Sequence, residues 1–274
     1  MRRINPVIFC AVDAFLGRGG EPLFRFEEFV ASLRNSGVPC VWVSQRTRGE
    51  LDEPRRRLGA NDPFIAEGGS GVYLPEDYFH QKRAKTERLG RFLCIPVAQA
   101  QPASAEALEE LAKKTHVGVV PLRSLKPREL AQNTGLPIRG AELMRSRDFD
   151  ELFFFAGASS TEILRFIQAG EQQQLVIRPH GNFWSLAVGA SIPKCVLQLA
   201  RLYDLALHKR ALRVGIAVTK DANSFSSVCD RVFRVISGKP RADEGETPEA
   251  AKYQCSLSAP DLWREIFSAV RATS

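Results

Sequence analysis

The feature that most constrains this chain is a pair of apolar runs, Val7–Cys10 and Val38–Val43. Each is short and free of charge, so each reads as a fully buried strand. Between them Phe26, Phe29, Val30 and Leu33 recur at helical spacing, and Gly37 closes the helix. Strand, helix and strand at this separation form a βαβ unit, whose two strands run parallel. A parallel sheet places its chemistry just beyond the carboxyl ends of its strands. Asp13 is the first carboxylate after the first run, and Ser44 directly follows the second.

The remaining pattern divides in two. Phe64–Ala66 and Val72–Leu74 read as short strands around the turn Glu67-Gly68-Gly69-Ser70-Gly71. From about Lys85 the character changes. Helices are predicted at Ala103–Lys114, Lys126–Asn133, Ile138–Arg147 and Ser160–Gly170. Strands are predicted at Arg91–Val97, Val117–Leu122 and Phe149–Phe155, and a hairpin at Leu175–Arg178 and Phe183–Val188. The first style then returns with an amphipathic helix at Pro193–Leu207, a buried strand at Leu212–Val218, a short strand at Val232–Ile236 and a closing helix at Pro260–Val270. Gly238–Ala250, polar and rich in Pro, Gly and Glu, reads as a surface loop. The expected architecture is an α/β Rossmann-like core, residues 1–84 and 189–274, interrupted by an α+β insertion at 85–188.

Charge and cysteine usage narrow the function classes. The net charge is +7, yet Arg and Lys are spread along the chain. The one dense run, Arg55-Arg56-Arg57, has no interleaved aromatics, so affinity for small anions is expected rather than nucleic-acid binding. Six cysteines are scattered with no CxxC pair, the pattern of reduced buried thiols. Met1-Arg2-Arg3 leads straight into the first strand without a signal-peptide layout. No stretch approaches the ~20 apolar residues of a membrane span. A cytoplasmic protein without membrane contact is expected.

Four points converge on one sheet edge: Asp13, Ser44, the loop Thr219–Asn223, and Lys194 near a helix start. A carboxylate, a hydroxyl and an ammonium so placed suit phosphoryl chemistry, the cation neutralising phosphate charge and the carboxylate handling a proton. Arg46 and Arg48 after the second strand, and Arg178 and His180 in the insertion, are further candidates for anion contact.

The order of these features resembles the haloacid-dehalogenase (HAD) phosphatases, and more closely the mannosyl-3-phosphoglycerate phosphatase family. The strand and Asp-x-Asp-Gly-Thr motif of that family matches Ala11-Val12-Asp13-Ala14-Phe15, and its second motif matches Ser44-Gln45-Arg46-Thr47-Arg48-Gly49-Glu50. Pro63–Gly69, Thr134-Gly135-Leu136-Pro137, Arg147–Phe153 and Gly181-Asn182-Phe183 match further family runs, and the third-motif lysine falls on Lys194. The resemblance covers nearly the whole chain. It implies a HAD-like core with a C2-type cap, Mg²⁺ as cofactor, and a small phosphorylated sugar or sugar acid as ligand. It implies Asp13, Ser44 and Lys194 as catalytic residues, Arg46, Arg147, Asp150 and Arg178 as substrate contacts, and Asp13 and Asp221 as metal ligands.

The departures fall on the chemistry. The family's nucleophile is the first Asp of its first motif; here that position is Ala11. Gly and Thr of the motif become Ala14 and Phe15, which is expected to push a ring into the phosphate loop. In Val218-Thr219-Lys220-Asp221-Ala222-Asn223-Ser224 a lysine enters the metal-binding motif, so Mg²⁺ is expected to be weak or lost. The leading expectation is a non-hydrolysing homologue that binds a phosphorylated anion. One alternative is a working phosphatase in which Asp13 activates water directly, with Lys194 and Lys220 in place of metal. Another is a scaffold or regulator of a partner enzyme.

Overall fold

The computed structural model describes residues 5–79, 86–236, 254–257 and 261–271. Two sheets organise it. The larger has nine strands in the order β13-β12-β11-β1-β2-β3-β4-β6-β5. Its centre is β1 (Pro6–Ala11), flanked in parallel by β2 (Cys40–Val43) and β11 (Leu212–Val218). The parallel array continues through β3 (Phe64–Ala66) on one side and through β12 (Arg231–Ile236) and β13 (Gln254–Ser256) on the other.

Alternation along β1 explains why this strand is central. Ile8 and Cys10 face one core layer, which includes α1 (Phe26–Asn35) and α9 (Leu262–Arg271). Val7 and Phe9 face the other, formed with α7 (Ile192–Ala206) and α8 (Thr219–Ser226). A strand buried on both faces needs apolar residues at every position, which is the pattern of its sequence.

The far edge of the sheet turns antiparallel through β4 (Gly71–Pro75), β6 (Phe92–Pro96) and β5 (Glu87–Leu89). These last two strands lie inside 85–188 in sequence yet hydrogen-bond to the large sheet. The second sheet is wholly antiparallel, in the order β7 (Val119–Pro121), β8 (Glu151–Phe155), β10 (Phe183–Val188), β9 (Leu175–His180). On one face α3 (Gln101–Thr115) and α6 (Ser160–Gln172) cover Phe153 and Leu186. On the other α4 (Pro127–Thr134) and α5 (Ile138–Arg145) cover Leu152. This α/β fold with an antiparallel cap is the architecture read from the sequence. Gly238–Ala250 and His80 lie outside the described residues.

Two local expectations are corrected. Phe15 does not enter a phosphate loop. It is fully buried, stacked on Phe26 at 5.5 Å and edge-on to Trp263 at 4.8 Å. The segment after β11 is not a loop: it is α8, with Asp221 in its first turn. No helix among the described residues is long and apolar enough to cross a membrane.

Removing a ring from such a site costs about 3–5 kcal/mol. Phe15→Ala is therefore expected to lower the unfolding free energy by about that amount in denaturant titrations, a loss that a ring exposed in a ligand loop would not give.

Candidate functional site

The site lies where the carboxyl ends of β1, β2 and β11 meet the cap. Its foundation is the turn that follows β3. Glu67, Gly68 and Gly69 all have left-handed backbones, with φ of 50°, 62° and 91°. For Glu67 this is a strained conformation. At Gly69 a side chain is impossible, since a Cβ would come within 2.4 Å of the Ile192 backbone nitrogen. The turn aims the Glu67 carboxylate at the cap. One oxygen accepts from the Asp148 amide at 2.9 Å, and the other from the amides of Phe149 at 2.8 Å and Asp150 at 3.0 Å. Burial and the nearby Asp150 carboxylate raise the Glu67 pKa, while Arg147 and the amide donors oppose that shift.

The second-motif segment carries the joint further. Thr47 caps α2 (Arg48–Leu58) in a reciprocal box with Glu50, and its hydroxyl also donates to the Leu143 carbonyl at 3.0 Å. Arg48 donates to Asp148 at 2.7 Å, and the Tyr73 hydroxyl donates to the same carboxylate at 2.8 Å. Arg147 is almost wholly buried. It pairs with Asp150 and donates to the Gln45 carbonyl at 2.6 Å. Arg178 donates to the Gly68 carbonyl at 2.5 Å. Arg147, Asp150 and Arg178, expected as substrate contacts, thus spend these bonds holding the cap on the core, and Arg147 and Asp150 are closed off from solvent.

Asp13 stands above this joint. Its Oδ1 accepts from the Ser44 hydroxyl at 2.5 Å and lies 3.6 Å from Arg46 Nε, and its Oδ2 accepts from the Gln45 amide at 2.7 Å. The Ser44 oxygen in turn accepts from the Arg46 amide at 3.0 Å. Arg46 also ties down the loop after β1, donating to the carbonyls of Leu16 at 3.2 Å and Gly17 at 2.6 Å. Ala11, the last residue of β1, sits opposite Val43 and offers only a methyl group.

Between core and cap lies a cleft of about 440 Å³. Asp13, Ala14, Arg18, Arg46 and Asp221 line it from the core. On the opposite wall Thr134 and Leu136, from the run Thr134–Pro137, meet Gly181, Asn182 and Phe183. Arg18 is exposed in this cleft, and sequence reading missed it because a lone arginine in a glycine-rich turn has no pattern to distinguish it. Lys194, expected here, is exposed on α7 and outside the cleft. The buried face of α7 is Cys195, Val196, Leu199 and Ala200, and Lys194 lies off it. Among the described residues no three His, Cys, Asp or Glu side chains are grouped to hold a metal ion.

No family profile matches the chain. A glucosyl-3-phosphoglycerate/mannosyl-3-phosphoglycerate phosphatase from Methanococcoides burtonii is 25% identical over 173 residues, 62% of each chain. One from Persephonella marina is 26% identical over 219 residues, 78% of this chain and 79% of the relative. A mannosyl-3-phosphoglycerate phosphatase from Pyrococcus horikoshii is 26% identical over 148 residues, 54% of this chain and 59% of the relative. The match thus spans less than two thirds of the first and third of these relatives. A solved haloacid dehalogenase-like hydrolase from Bacteroides thetaiotaomicron has a TM-score of 0.61 at 13% identity, covering 97% of this chain and 99% of that one. The chain is similar in sequence to mannosyl-3-phosphoglycerate phosphatases and has the fold of HAD-like hydrolases. Within this HAD fold the runs quoted from the sequence come together, some lining the cleft and some joining its two walls.

His180, on the cap wall, faces the Gln45 side chain at 3.1 Å. Burial, then Arg147 and Arg46, push its pKa down from 6.5 to about 3. The unfolded chain therefore takes up a proton that the folded chain refuses. This part of the stability is whole above about pH 6.5 and is lost as pH falls toward 3. His180→Gln cannot titrate. Its Tm is expected to fall less than that of the wild type when pH is lowered from about 6.5 to about 4, as followed by calorimetry. The clasp gives a second expectation: Glu67→Ala, which leaves three amides without their acceptor, should cost about 3–5 kcal/mol by chemical denaturation.

Proposed function

We propose that this chain holds a small phosphorylated sugar acid, or an anion of similar form, in the core–cap cleft and does not cleave it by the HAD route. One observation carries the reading: at the end of β1 the reacting position is Ala11, and the neighbouring Asp13 carboxylate is already bonded on both oxygens to Ser44 and Gln45. The HAD route begins with a carboxylate oxygen attacking phosphorus. A methyl carbon has no lone pair to offer.

The residues do not fit the magnesium ion of the family. Mg²⁺ demands a near-octahedral set of oxygen ligands. Position 11 supplies none, and Asp13 has its oxygens committed beside the Arg46 guanidinium. Asp221 lies on the cleft wall, and no group of three or more His, Cys, Asp or Glu side chains placed to hold a metal ion includes it among the described residues.

Binding is better supported than turnover. Arg18 and Arg46 place two guanidiniums suited to a phosphate or carboxylate on the core wall, beside the carboxylates of Asp13, Glu50 and Asp221. Thr134 and Asn182 offer hydrogen bonds for sugar hydroxyls, and Leu136, Met144 and Phe183 give an apolar face for a ring. The relatives named for mannosyl- and glucosyl-3-phosphoglycerate supply the candidate ligands.

Two measurements test the reading. With either ligand the Tm is expected to rise, by the equivalent of about 2.7 kcal/mol at a hundredfold excess over Kd. Arg18→Gln is expected to weaken binding about tenfold, the worth of one charged hydrogen bond. Phosphate release with Mg²⁺ is expected to stay at the level of the Asp13→Asn variant. Turnover that Asp13→Asn abolishes would overturn the non-hydrolysing reading, and a Tm indifferent to both ligands would overturn the binding reading.

A further inference from the structure

A second concave site lies on the other side of α2, away from the cleft. It is a groove of about 730 Å³ between α2, the β5–β6 edge and α5. Four guanidiniums line it, those of Arg48, Arg56, Arg91 and Arg139, against two carboxylates, Asp52 and Glu53. The run Arg55-Arg56-Arg57 is split here by helical periodicity. Arg55 turns inward, 4.2 Å over the Phe64 ring and bonded to the Asp62 carbonyl at 2.6 Å, while Arg56 faces the groove. Arg91 comes from the sheet edge and Arg139 from the cap, so three separate elements bring positive charge to one place.

Three of the four groove arginines, Arg56, Arg91 and Arg139, are not held by the fold. Arg56 pairs with Glu53 and Arg91 with Asp52, but the paired side chains are 46–71% exposed. Such pairs add little to stability and exchange partners at little cost. Arg139 is exposed, and among the described residues it lies in the field of Glu53 without an ion pair of its own. Arg48 is half-buried and already bonded to Asp148 across the core–cap joint. The groove lining thus carries two more guanidiniums than carboxylates, one of them, Arg48, already paired with Asp148 behind it.

We propose that this groove is a second anion site, separate from the cleft, that takes a small ligand carrying two or more phosphate groups. A single phosphate meets too few of these dispersed guanidiniums to displace both Asp52 and Glu53. A polyphosphate or a bisphosphate spans them and offers each arginine an oxygen pair, the geometry guanidinium favours. The site shares α2 with the cleft: Arg46 and Glu50 face one side, and Arg48, Asp52 and Glu53 the other. It does not depend on what the cleft binds.

The test is calorimetric titration of the full chain with inorganic tripolyphosphate at near-physiological salt. Saturable binding to the wild type is expected. The paired change Arg56→Gln with Arg139→Gln is expected to weaken it at least about tenfold, since it removes two charge-assisted contacts. Both side chains are exposed, so the fold should tolerate their loss, checked by an unchanged Tm without ligand. Arg165→Gln with Arg128→Gln removes equal charge elsewhere on the surface and is expected to leave the affinity unchanged. Equal weakening by both pairs would assign the binding to diffuse surface charge and overturn the proposal. Loss of binding in Arg18→Gln with retention in the groove variant would place the anion in the cleft and also overturn it. Absence of saturable binding to the wild type would do the same.

Discussion

The Glu67 carboxylate is the constraint on which the rest of the site depends. Core and cap meet at the cleft floor through one large apolar side chain, Phe149 of the cap, which packs among the core residues beside Gly71. Around it the joint is polar and buried: one carboxylate gathers three successive amides of the cap, and Arg147 passes from the cap to the Gln45 carbonyl of the core. Buried polar joints of this kind contribute little net cohesion but penalise misalignment heavily, because any displaced group loses its partner without gaining water. The strained Glu67 backbone is the cost of that alignment. The cleft inherits its shape from this joint, since Gln45 beside it also supplies the amide that holds Asp13.

The same economy explains why the fold was legible in the sequence while much of the site was not. β1, β2 and β11 are buried on both faces, so their continuous apolar runs announce them. The hairpin of β9 and β10 and the helices α3 and α6 follow their periodicities. The β5–β6 edge pairs antiparallel with the large sheet although its sequence adjoins the cap, because pairing partners are set by register with β4 and leave no local mark. For α8, a polar sequence containing Lys220, Asp221 and Asn223 looks like a loop, but Ala222 and Phe225 bury one face and hold it helical.

Side-chain direction is the second thing a sequence withholds. Arg147, Asp150 and Arg178 have the chemistry of anion contacts, yet each finds a closer partner inside the protein. Lys194 has the right charge at the right end of a helix, but the buried face of α7 is set by Cys195 and Leu199, and Lys194 is exposed and not among the residues lining the cleft. Arg18 shows the reverse case, a residue without a motif whose side chain lines the cleft. The quoted cap runs at Thr134 and Gly181 were legible for another reason: both are turns, whose short polar and glycine signals are local, and turns are what a cap presents to its core.

The position of Phe15 has a consequence for redesign. In the HAD pattern that place belongs to a threonine beside the reacting carboxylate; here the ring fills the space between Phe26 and Trp263. Writing the full motif into this chain therefore takes more than one change. A carboxylate at Ala11 leaves the loop unaltered, and a small polar residue in place of Phe15 opens a void in the aromatic layer. Any such redesign has to refill that layer as well as rebuild the motif.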